Sequence, residues 1–179
     1  RALNQLGEKA RTIFLFQTIS TPVEFLQALL ADLGVEEIQG NLIALQAKLN
    51  QVLLEQFRSG KPLIVVIDEA QTLNGPVLEQ VRMLSNFETS RQKLLQIILS
   101  GQPQLAEKLA SPGLVQLRQR ISIFAGLKPF SVEETALYIR HRLQMAGYSF
   151  QMPLFTGDAV ALIAQASAGI PRNINNLCF

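Results

Sequence analysis

Two adjacent carboxylates, Asp68 and Glu69, close an uninterrupted apolar run, Leu63-Ile64-Val65-Val66-Ile67. A run of that kind reads as a strand buried on both faces of a parallel sheet. The carboxyl end of such a strand is where open α/β sheets place their ligands. An acidic pair there suits hydrolysis of a phosphoanhydride. Asp68 could hold Mg²⁺ through water, and Glu69 could orient and deprotonate the water that attacks a γ-phosphate. Neighbouring strand residues point to opposite faces, so the same pair makes a poor glycosidase couple. An Asp-Glu step can also mark no more than a strand end running into a polar turn, and the dipeptide by itself does not separate the two readings.

The companion of such a pair is a phosphate cradle, G-x-x-x-x-G-K-[ST], between a strand and a helix. No stretch of the 179 residues spells it. Gly60-Lys61 is a decoy, because Pro62 stands where Ser or Thr is needed, Glu55 where the first glycine is needed, and a strand follows instead of a helix. Gly7-Glu8-Lys9 fails in the same way. Residues 1–8 read as the back half of a helix leading into the strand-like residues 12–16, so a first strand and phosphate loop ahead of Arg1 would complete the pattern.

Composition removes other chemistries. One cysteine and one histidine, Cys178 and His141, cannot form a disulfide or a Cys/His zinc site within the chain. Zinc hydrolysis, Cys-His proteolysis and dithiol redox chemistry therefore drop out, and the absence of G-x-S-x-G leaves a nucleophile elbow unsupported. Sixteen Lys and Arg against fourteen Asp and Glu give a formal charge of +2, too balanced to advertise nucleic-acid binding by charge. Residues 1–128 carry 13 basic and 11 acidic side chains, and residues 129–179 carry three of each, so neither part is a basic arm. The longest apolar run, residues 159–164, is far short of a bilayer span, and no charged-then-apolar leader opens the sequence. A mean hydropathy of +0.21 with 48% hydrophobic residues fits a soluble globular chain with one good core and room for a satellite domain.

The elements that must position the carboxylates alternate. Apolar runs at 12–16, 63–67, 94–99 and 121–124 read as strands of a parallel sheet, and helical patterns lie between them. Thr21-Pro22-Val23-Glu24 is a capping box with proline at the first helical position. An apolar face of Phe25, Leu26, Leu29, Leu30 and Leu33 follows, and Gly34 sits where a left-handed helix terminator belongs. Leu42, Leu45, Leu49, Val52, Leu53 and Phe57 make a second stripe that ends at Gly60, and a third helix is expected after Asn74-Gly75-Pro76. Beyond residue 128 only helical periods remain. Ser131-x-x-Glu134 opens a helix striped by Val132, Ala136, Ile139, Leu143 and Ala146, Thr156 opens the next, and Pro171 starts a last one after Gly169. The sequence predicts an α/β domain over 1–128 and a helical domain over 129–179.

Six segments in order resemble the AAA+ ATPases of the general secretion pathway protein A (ExeA/GspA) type: LIVVIDEAQTL at 63–73, MLSNFETSRQKLLQIILSGQPQL at 83–105, LRQRI at 117–121, LKPF at 127–130, TALYIRHRLQMAG at 135–147 and GIPRNINNL at 169–177. The resemblance implies a P-loop NTPase-like parallel sheet with a small helical lid, its first strand and phosphate loop missing here. It implies ATP and Mg²⁺ as ligands of the complete protein. Asp68 and Glu69 match the Walker B pair. Ser100, at the end of the 94–99 strand, matches sensor 1; asparagine is the more familiar residue there, and Gln102 is the substitute. Arg120 falls where the family keeps its arginine finger, with Arg118 as second choice, and both also read as solvated charges at a strand entrance. Arg172 matches sensor 2 in the lid.

The same resemblance implies ATP hydrolysis at the cytoplasmic face of a bacterial inner membrane, coupled to assembly of the type II secretion machinery. The implied partners are an inner-membrane secretion protein, further copies of the chain, and peptidoglycan through regions not in this sequence. Transposition regulators of the TniB/TnsC type share the pattern and are the alternative, against which the near-neutral charge and the GQPQL and GIPRNINNLC segments stand. The 179 residues alone, without the cradle, are expected to bind ATP weakly or not at all.

Overall fold

A computed structural model describes residues 10–16, 19–88, 93–149 and 152–179, which divide into two compact units, Arg1–Ile123 and Phe124–Phe179. The helix expected over residues 1–8 lies outside the described residues.

The first unit is built on three parallel strands, β1 (Arg11–Leu15), β2 (Leu63–Ile67) and β3 (Leu95–Leu99), in the order β1-β2-β3. All five residues of β2 are buried, as expected of the middle strand of a covered parallel sheet. The three strands are equal in length and aligned residue for residue, so Leu15, Ile67 and Leu99 form one tier at their carboxyl ends. The ladder runs one step further: the Asp68 amide donates to the Leu15 carbonyl at 3.1 Å, and the Ser100 amide to the Ile67 carbonyl at 2.8 Å. Phe16, Asp68 and Ser100 therefore leave the sheet at one level.

The connections between strands are helical. Helix α1 (Pro22–Asp32) starts at the expected capping box, in which the Glu24 amide donates to Thr21 Oγ1 at 3.2 Å and the Glu24 carboxylate accepts from the Thr21 amide at 3.2 Å. Gly34 ends it at φ +79°, a conformation that favours glycine. Helix α2 (Leu42–Arg58) is capped by the Asn41 side chain, and α3 (Gly75–Leu84) by that of Asn74. Phe25, Leu26, Leu29 and Leu30 of α1, Leu45, Leu49 and Leu53 of α2, and Val77, Leu78, Val81 and Leu84 of α3 share one core with Ile13, Leu15, Leu63, Val65, Ile67 and Leu95 of the sheet. Each fully buried leucine there contributes about 1.5–3 kcal/mol. The other sheet face carries a smaller cluster of Ala10, Ile64 and Val66 with Phe14. Two short helices, α4 (Gln104–Leu109) and α5 (Val115–Arg118), follow β3 and seat Leu105, Leu109 and Leu117 in the same core.

One expected strand does not form. Residues 121–124 have no ladder partner among the described residues, and the division between the two units falls inside them. Ile123 is 82% exposed and Phe124 59%. A strand exists only where a neighbour takes up its backbone hydrogen bonds. The only described ladder of β3 is to β2, so an apolar composition at 121–124 does not suffice.

The second unit contains α6 (Val132–Met145), α7 (Gly157–Ser167) and α8 (Pro171–Cys178). Helix α6 opens on the expected Ser131/Glu134 capping box, but its buried positions are Thr135 and Ile139, whereas Val132 and Ala146 of the expected stripe are exposed. The α7–α8 turn is tight. Gly169 stands at φ +68° and its carbonyl accepts from the Phe130 amide at 2.9 Å. A Cβ at position 169 would fall on the Phe130 backbone. His141 is exposed, and Cys178 is half-buried with its thiol pushed up by that burial.

Candidate functional site

At the tip of β2 the chain turns sharply. Glu69 adopts φ 50°, ψ 35°, the left-handed region that non-glycine residues rarely enter, and a single 3₁₀ turn, Ala70–Thr72, follows. Two bonds close on the Glu69 carbonyl, from the Thr72 amide at 2.9 Å and the Thr72 hydroxyl at 2.8 Å. The Ala70 amide donates across to the Ser100 carbonyl at 2.9 Å, holding the segment after β2 against the segment after β3.

The carboxylates are held by separate donors. Asp68, half-buried, accepts at Oδ1 from the Ser100 hydroxyl at 2.9 Å and from the Glu69 amide at 3.0 Å. Glu69, exposed, accepts at Oε2 from Gln71 Nε2 at 2.5 Å and lies 3.4 Å from Gln102 Nε2. Lys108 of α4 braces the turn from beneath, its ammonium donating to the Gln71 and Leu73 carbonyls at 2.6 Å each.

Four residues singled out in the sequence, Asp68, Glu69, Ser100 and Gln102, thus meet in one hydrogen-bonded group. Ser100 and Gln102 do not compete for one place, because each serves a different carboxylate. Arg118 ends α5 and Arg120 lies in the turn after it; both are exposed, and neither is drawn to the acidic pair by an ion pair among the described residues. Arg172 is exposed in the first turn of α8, in the second unit. Gln71 and Lys108 were not singled out from the sequence. Gln71 stood in view two residues past Glu69, but the backbone turn that folds it back carries no glycine to announce it. Lys108 reaches its carbonyls across more than thirty positions of sequence.

Among the described residues no group of three or more His, Cys, Asp or Glu is placed to hold a metal ion by itself. Mg²⁺ is commonly bound by one or two carboxylates together with waters and substrate phosphates. A lone Asp68, held at one oxygen by protein donors, fits that division of ligands.

The three-stranded parallel sheet flanked by helices is that of the AAA+, P-loop NTPase-like fold. Two solved structures share it: Cdc6p from Pyrobaculum aerophilum, at a TM-score of 0.64 and 14% identity over 97% of this chain and 46% of that one, and the ORC2 protein of Aeropyrum pernix in its ADPNP-ADP complexes, at 0.65 and 13% over 98% and 48%. The AAA domain family model matches residues 1–109, and the chain belongs to that family. It is 46% identical over 126 residues to general secretion pathway protein A of Aeromonas hydrophila, the resemblance the motifs carried; the match takes in 70% of this chain and 23% of that protein's length.

Proposed function

We propose that this chain is the catalytic α/β part, with its lid, of an AAA+ ATPase related to the general secretion pathway. It would work at the cytoplasmic face of a bacterial inner membrane with an inner-membrane secretion partner. The observation that carries the reading is the double hold on the β2 tip: Ser100 on Asp68, and the Gln71–Gln102 pair on Glu69. Likeness to general secretion pathway protein A supports the pathway. No helix among the described residues is long and apolar enough to cross a membrane.

Bound magnesium supplies charge neutralisation on the phosphate oxygens. Asp68, held at Oδ1 by Ser100 and the Glu69 amide, would be the residue that holds that ion through water. Glu69 orients the attacking water and takes its proton at Oε1, for which no donor competes among the described residues. Water oxygen bonds to the γ-phosphorus as the bond to the ADP oxygen breaks, with no covalent enzyme intermediate. Arg120, or Arg118 beside it, acts in trans on a neighbouring copy's nucleotide, and Arg172 reports nucleotide state to the lid. Peptidoglycan contact belongs to regions outside these residues.

The decisive experiment is Glu69→Gln in a chain supplied with a G-x-x-x-x-G-K-[ST] segment ahead of Arg1. Hydrolysis should vanish while ATP binding persists; unchanged turnover removes Glu69 from the mechanism. The 179 residues alone should bind Mg-ATP only weakly, and micromolar affinity by calorimetry contradicts that.

A further inference from the structure

We propose that Gln71 is a positioning residue for hydrolysis, whose carboxamide clasps the Glu69 carboxylate to the turn after β3 and leaves Oε1 of that carboxylate for the attacking water. The inference rests on the reading of Glu69 given above and adds to it the device that aims the base.

Both ends of the Gln71 amide are used. Its Nε2 donates to Glu69 Oε2, and its Oε1 accepts from the Gln102 amide at 3.1 Å. A backbone N–H can only donate and a carboxylate can only accept, so one orientation of the amide satisfies both neighbours and the flipped one opposes both. The half-buried Gln71 is the link between two exposed groups, Glu69 and Gln102. Its backbone is pinned in turn, because the Lys108 ammonium holds the Gln71 carbonyl from α4, the helix that begins two residues beyond Gln102.

Gly101 makes room for this. A Cβ there would come within 2.5 Å of Gln71 Oε1, 3.2 Å of Leu105 Cδ2 and 3.4 Å of the Ala70 amide nitrogen. The first of these is the far end of a flexible side chain, so Gly101→Ala should displace the clasp and leave the fold standing. The consequence is that residues 100–102 govern both carboxylates at once: Ser100 holds Asp68 directly, and Gln102 holds Glu69 through Gln71 and, at 3.4 Å, by its own Nε2. A movement of this short segment reaches the base and the metal-side carboxylate together.

The test has two arms. In the full chain, NMR of side-chain amides should show a Gln71 Nε2 proton displaced downfield, with the displacement lost in Glu69→Ala and in Gly101→Ala. A Gln71 signal that coincides with those of solvent-exposed glutamines and ignores both substitutions overturns the clasp. In the chain supplied with a phosphate loop, Gln71→Ala and Gly101→Ala should each lower kcat about 10²-fold, the effect of a base misplaced by about an ångström. KM should stay unchanged, and the double variant should be no worse than either single one. Gln71→Glu, which keeps an acceptor for the Gln102 amide but replaces the donor to Glu69 by a second carboxylate, should lower kcat at least as far as Gln71→Ala. If Glu69→Gln abolishes turnover while Gln71→Ala leaves kcat intact, the positioning role falls and the assignment of Glu69 stands. If Glu69→Gln leaves turnover intact, both fall.

Discussion

Replacing Glu69 once by alanine and once by glycine should invert the usual ranking of those two residues. In most of a folded chain glycine is the less stable by about 0.5–1 kcal/mol, because the unfolded chain gains freedom when the side chain is removed. Position 69 differs in its backbone, which sits at φ 50° and ψ 35°. There a Cβ crowds the following carbonyl at a cost of about 1–2 kcal/mol. Both variants lose the same carboxylate contacts, so these cancel in the comparison. The remainder favours glycine by about 0.5–1 kcal/mol. With a urea m-value of about 2 kcal/mol/M, that displaces the midpoint upward by about 0.3–0.5 M. The control is Lys48, exposed in the middle of α2, where glycine should fall below alanine by about 0.8–1.0 kcal/mol. Urea unfolding followed by far-UV circular dichroism reads the whole chain, while tyrosine fluorescence records the second unit, which holds both Tyr138 and Tyr148. A glycine variant at 69 no more stable than the alanine variant would refute the left-handed turn, and with it the geometry that aims the base.

Three further outcomes rest on other contacts of the two units. Gly169→Ala should destabilise the second unit by about 3 kcal/mol or more, since the added carbon meets Phe130 backbone that cannot rotate away; the tyrosine transition reports it, and an unchanged transition contradicts the tight crossing. Ser100→Ala should change overall stability by no more than about 0.5–1.5 kcal/mol. In a chain supplied with the phosphate loop it should raise the magnesium needed for half-maximal turnover several-fold, so an unaltered magnesium dependence separates Ser100 from the metal. The Ser131 hydroxyl, with the Glu133 backbone amide, holds the Glu133 carboxyl below its ordinary 4.5. That stabilisation is complete above the ordinary value and drains away as pH falls through the lower folded one. Ser131→Ala should move the Glu133 titration, followed by carboxyl NMR, up toward the ordinary range; no movement would mean the hydroxyl is not its main cause.

Why some of this architecture was legible in the letters and some was not has a physical answer. Helix starts depend on four consecutive residues, so Thr21 with Glu24 and Ser131 with Glu134 announced theirs. A buried central strand depends on composition alone, and residues 63–67 were apolar without a break. The strand expected at 121–124 failed because pairing is a property of two segments, and an apolar run says nothing about whether a neighbour is present. Helices α4 and α5 span six and four residues, too short for a periodic stripe. The candidate site divides along the same line. Asp68, Glu69, Ser100 and Gln102 could be found from their places at strand ends. Gln71 becomes relevant only through a left-handed backbone at a residue that is not glycine, and Lys108 only through a fold that brings α4 under the turn.

The in-phase alignment of β1, β2 and β3 has a consequence for how such a chain can diverge. Substitutions that keep the apolar character of the three segments leave the tips level. Deleting or inserting a single residue inside any one of them is different in kind. It would rotate everything after it to the opposite side of the sheet and raise or lower that tip by about 3.3 Å. Where the change falls in β2 or β3, Asp68 would part from Ser100, although every letter of both remained. The spelling of these strands is therefore freer to change than their count, and the connections between them are where a change of length disturbs the tips least.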